Sequence, residues 1–67
     1  MIGLKLIRKQ KRLSQQKVAI ELNISREALS HYENDRREPS LAMLIKMSDY
    51  FGVSIDFLVR GEEFTKK

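Results

Sequence analysis

An all-α fold, five short helices in one compact bundle, follows from how the chain is punctuated. Serines able to cap a helix stand just ahead of apolar-periodic stretches at Ser14, Ser25, Ser40 and Ser54. Gly52 and Gly61 fall where helix C-terminal glycines belong. The alternation expected of strands is absent. Together these predict helices over 4–12, 15–22, 26–34, 41–51 and 55–60.

Each helix has its own inner face. Leu4 and Ile7 mark the first, and Val18, Ala19 and Leu22 the second. Leu41, Leu44, Met47 and Phe51 mark the fourth. Pro39 disfavours helix at Glu38 and so separates the third helix from the fourth. The three methionines read as core filler. Leu6 and Ile20 fit none of these stripes. Residues 1–61 form one domain, and 62–67 a short tail that is polar apart from Phe64.

A chain of 67 residues has a marginal core. It holds no cysteine and a single histidine, His31, so disulfides and thiolate metal sites are excluded. Helix packing, assisted by a second subunit, is the remaining source of stability. The absence of cysteine suits a reducing cytoplasm. The longest apolar run, residues 41–45, is far too short to span a membrane. The net charge is +4, and its distribution says more than its sum. Lys5, Arg8, Lys9, Lys11 and Arg12 give residues 1–13 a charge of +5 with no acid, leaving −1 for the rest. Such a run attracts anions but also describes an ordinary solvated helix face, so composition alone does not decide for nucleic acid.

Residues 14–34, SQQKVAIELNISREALSHYEN, read as cap, helix, tight turn, cap, helix. Ala19 is small where two helices cross closely. Asn23 tolerates the left-handed turn, and Ile24 plugs the inside of the corner. The combination predicts a helix-turn-helix. On a wheel of 100° per residue, Ser25, Ala28, Leu29 and Tyr32 face the core, with Glu33 at the edge of that side. Glu27, Ser30, His31 and Asn34 face outward with Arg26 at their flank, offering donors and acceptors suited to base edges.

The run LSQQKVAIELNISREALSHYENDRREPSL, residues 13–41, resembles the phage-repressor and Cro type of helix-turn-helix, the xenobiotic-response-element family. The likeness lies in the LSQ opening, the V-A pair, the I-S-R step, the Y-E-N end and the R-R-E-P-S-L exit. GVSIDFL, residues 52–58, is similar to the closing helix of that family. Asn23 and Asp35 depart from it, standing where glycine is usual.

The resemblance implies a lambda-repressor-like domain: a sequence-specific regulator of transcription, a repressor, that inserts its third helix into the major groove of double-stranded DNA. By the same likeness Ser25, Arg26, Glu27, Ser30 and His31 face bases or the adjacent backbone. Gln15, Asn34, Arg36 and Arg37 hold phosphates, and Arg8 lies opposite Glu33 in a structural ion pair. Glu27 either accepts from a base or orients Arg26 or His31. Ile55, Phe57 and Val59 meet a two-fold mate in a homodimer on a near-palindromic operator, while Leu58 points into its own subunit. No nucleophile–base pair, phosphate-cradling glycine loop or carboxylate dyad is visible, so neither an enzyme nor a cofactor is expected. The alternative is an antitoxin or protein-interaction module that binds a partner protein as well as, or instead of, DNA.

Overall fold

Four of the five helices start where a serine hydroxyl can satisfy a free backbone amide. The computed structural model describes residues 1–62, with α1 at Ile2–Gln10, α2 at Gln15–Leu22, α3 at Arg26–Glu33, α4 at Leu41–Phe51 and α5 at Ile55–Arg60. Ser14 accepts from the Lys17 amide at 3.0 Å, Ser25 from Ala28 at 3.0 Å, Ser40 from Met43 at 3.1 Å and Ser54 from Phe57 at 2.9 Å. Each bond fills one of the orphan donors of a first helical turn. Of the expected tail, 62–67, only Glu62 falls among the described residues; Phe64 lies outside them.

α1 lies two residues earlier than the 4–12 predicted. It has no side-chain cap to announce its start. Its first turn is placed instead by packing, because a Cβ at Gly3 would stand 1.7 Å from the Phe57 carbonyl oxygen. Only glycine lets α1 lie directly on the backbone of α5.

The ends of α1, α2 and α3 share one geometry. Arg12, Asn23 and Asp35 each adopt a left-handed conformation, with φ of 56°, 59° and 59°. The next residue in each case returns its amide to a carbonyl of the last turn: Leu13 to Arg8, Ile24 to Ala19 and Arg36 to His31. Asparagine at 23 suits this conformation; arginine at 12 has no such aptitude. α4 and α5 end on Gly52 and Gly61 with φ of 69° and 82°. At the end of α2, Lys46 Nζ also donates to the Leu22 carbonyl at 2.7 Å, tying α4 to α2.

Leu4, Val18, Leu22, Leu29, Met47 and Leu58 are fully enclosed, so all five helices contribute to one core. Leu13 and Ile24, the residues following two of the left-handed positions, pack against it. Leu41 does not, being 68% exposed. At 100° per residue it lies roughly 90° from the centre of the face shared by Leu44, Met47 and Phe51, too far round to join it. Ser25 likewise does not face the core; as the cap of α3 it is exposed, while Leu29 is buried and Ala28 and Tyr32 half-buried.

Candidate nucleic-acid interface

α2 and α3 meet at a corner built from three residues. Asn23 reverses the chain in its left-handed conformation. Ile24 donates its amide to the Ala19 carbonyl at 2.9 Å, and its side chain packs against the core. Ser25 opens α3. Ala19 itself is buried, its methyl small enough for the two helices to approach.

The corner leaves the first turn of α3 in solvent, where Ser25, Arg26 and Glu27 are all exposed. Ser30 and His31, one turn on, are half-buried. Among the described residues Glu27 forms no hydrogen bond or ion pair. Arg36 and Arg37 stand exposed beyond the end of α3. Asn34 folds its amide back onto the Ser30 carbonyl at 2.9 Å and the Ser30 hydroxyl at 3.3 Å. Its side-chain oxygen stays free, and an oxygen does not donate to a phosphate.

α3 is fastened to the rest of the molecule by a buried ion pair. Arg8 Nε donates to Glu33 Oε2 at 2.6 Å and Arg8 Nη2 to Glu33 Oε1 at 3.1 Å, a two-toothed contact between side chains 11% and 1% exposed. Arg8 Nη1 donates to the Leu13 carbonyl at 2.9 Å. Gln15 Nε2 donates to Glu33 Oε1 at 3.0 Å, and Arg26 Nε donates to Gln15 Oε1 at 3.4 Å. These last two bonds bring together residues 18 and 11 positions apart, beyond the reach of helical periodicity. The C-terminal end of α3 is held from the other side, where the Met1 ammonium donates to the Tyr32 carbonyl at 3.1 Å and pairs with Asp35 Oδ1. No spacing in the sequence signals that contact either.

On α5, Leu58 is enclosed, Ile55 and Phe57 are half-buried, and Val59 is 50% exposed. Asp56 and Arg60 pair along the helix at 2.8 Å. Among the described residues no group of three or more His, Cys, Asp or Glu is placed to hold a metal, and no helix is long and apolar enough to cross a membrane.

A capped, solvent-facing third helix set against a second across a left-handed corner defines the helix-turn-helix class. A helix-turn-helix family model matches residues 4–58. The chain belongs to this helix-turn-helix family and resembles phage- and immunity-repressor-like transcriptional regulators. Similar proteins include the uncharacterized HTH-type transcriptional regulator YqaE of Bacillus subtilis, 46% identical over 96% of this chain and 55% of that protein. The HTH-type transcriptional regulator ImmR of the same organism is 39% identical over 96% of this chain and 50% of its own length. The immunity repressor protein of Bacillus phage phi105 is 34% identical over 96% and 44% respectively. The chain thus spans about half the length of the curated relatives it matches. No solved structure matches it at a significant level.

Proposed function

We propose that the protein is a cytoplasmic, sequence-specific repressor that binds double-stranded DNA as a homodimer, with α3 in the major groove of a near-palindromic operator. The observation that carries this reading is the exposed first turn of α3, presented on a corner whose backbone is fixed by Asn23 and Ser25. Arg26 suits guanine, with its two acceptors, and Glu27 suits the amino group of cytosine. Ser25, Ser30 and His31 complete the reading face. Gln15, Asn34, Arg36 and Arg37 grip the flanking phosphates, Asn34 once its amide releases Ser30. The two-fold contact runs through Ile55, Phe57 and Val59, which would place two α3 helices about 34 Å apart, one turn of DNA.

Selection of duplexes from a randomised pool tests this. The bound sequences should converge on an inverted repeat whose half-sites are centred about 10 base pairs apart. A pool that never converges, while the protein captures a partner protein encoded beside it, would favour the antitoxin-type role instead.

A further inference from the structure

Ile2, Lys5, Leu6 and Lys9 line one groove on the outer side of α1. Ile2 and Leu6, a helical turn apart, are 59% and 39% exposed, and both lysines are exposed beside them. Among the described residues neither lysine has an ion pair, whereas Lys17 pairs with Glu21 and Arg60 with Asp56. The end of α5 closes one side, since a Cβ at Gly61 would lie 3.0 Å from Ile2 Cγ2 and 3.3 Å from Leu6 Cδ1. We infer that this face of α1 is a docking surface for a separate protein, which presents to it an amphipathic helix bearing acidic side chains. The inference does not depend on the base-reading roles given above.

Charge complementarity selects the occupant. Residues 1–13 hold five cations and no acid, so a partner carboxylate meets Lys5 or Lys9 with nothing on α1 competing for them. The apolar pair adds what a simple anion site lacks. Apolar residues at i and i+4 of a partner helix match the spacing of Ile2 and Leu6, and acids spaced likewise match Lys5 and Lys9. Because Gly61 lies against both apolar side chains, part of their ordering precedes binding. Other occupants fit less well. On the helical wheel the Ile2–Leu6 line stands roughly 140° from Arg8, which points to α3, so the groove opens away from α3. A phosphate would also leave Ile2 and Leu6 without a use. Two apolar side chains are too few to anchor a helix in a membrane, above all a helix whose opposite face is buried in the core. A second copy across a two-fold axis would set lysine against lysine.

The test selects displayed helical peptides of randomised sequence on the full chain, then titrates a selected peptide into isotope-labelled protein. The sequences should converge on two apolar residues at i and i+4, with two carboxylates one turn apart beside them. Amide resonances of Ile2, Lys5, Leu6, Lys9 and Gly61 should move, and those of Arg26 and Glu27 should stay. Lys5→Glu combined with Lys9→Glu, both at exposed positions, leaves the core untouched and should weaken binding about tenfold or more. Leu6→Ser should weaken it about five- to tenfold, with circular dichroism showing that the helices persist. Selected peptides without acids, or binding that survives the double charge reversal, would overturn the inference. So would failure to select any peptide. If peptides emerge only against Phe64→Ser, the chain's own tail, with Glu62 and Glu63, fills the groove and the separate partner is refuted. If the double reversal instead lowers affinity for duplex DNA or for vesicles of anionic lipid, and no selected peptide competes, the lysines serve phosphate and the inference equally fails.

Discussion

Glu33 is a carboxylate with 1% of its side chain exposed, and a charge so placed must be matched or neutralised. Arg8 matches it with two hydrogen bonds. Glu33→Ala would leave the guanidinium buried without its partner, and removal of one member of such a pair typically costs about 3–5 kcal/mol. Chemical denaturation should show a clear drop in midpoint for Glu33→Ala and again for Arg8→Ala; an unchanged midpoint would contradict this account of the pair. The two residues are 25 positions apart, and only the family likeness, not spacing, pointed to Arg8. The wheel did place Glu33 at the edge of the core-facing side, because burial follows from angle. What a wheel cannot show is a contact between helices, so the bonds from Gln15 to Glu33 and from Arg26 to Gln15 were not legible.

Element boundaries were legible wherever a local signal sets them. Ser14, Ser25, Ser40 and Ser54 act within three residues of themselves, and the four helices they cap start where the sequence puts them. α1 has no such signal, and its position depends on contact with α5, far along the chain. Gly3→Ala tests this directly. The added methyl would overlap the Phe57 carbonyl, so α1 and α5 must separate, and a loss of about 1–3 kcal/mol is expected from overpacking. A midpoint equal to wild type would mean that the two helices do not pack as closely as described. Arg12→Gly should act in the opposite sense. It relieves a left-handed arginine that is exposed, and should raise stability by about 0.5–1 kcal/mol in the same measurement. Ser25→Ala should cost about 1 kcal/mol through loss of the α3 cap.

For the whole molecule, one core joins all five helices, yet α5 keeps apolar surface outside it. Val59 is half exposed next to Leu58, which is enclosed. In the homodimer proposed above a second copy would cover this surface. Val59→Asp would set two carboxylates against each other across a two-fold axis while leaving the monomer's core untouched. Sedimentation should then shift towards monomer, with dimerisation weakened about tenfold or more. A wild-type protein that stays monomeric at high concentration, free and on DNA, would refute the dimer. Fold class was legible at this scale because five helical periods, their caps and the lack of strand alternation all agree. Leu41 was misplaced because the fourth helix reads as apolar on more than one side, and only the packing shows which side is inner.

On the proposed reading α3 reads bases while the arginines beyond it hold phosphate, a claim that binding isotherms across several salt concentrations test by separating the two. Phosphates are alike at every step of DNA, whereas base edges differ. Arg26→Ala should therefore cost about 1–3 kcal/mol on the selected duplex and far less on a scrambled one, relaxing the preference at a single base pair. Arg36→Ala or Arg37→Ala should weaken both duplexes alike and lower the salt-dependence slope by about one unit. Equal losses on both duplexes for Arg26→Ala, with base preference unchanged, would make Arg26 a phosphate contact and contradict the claim.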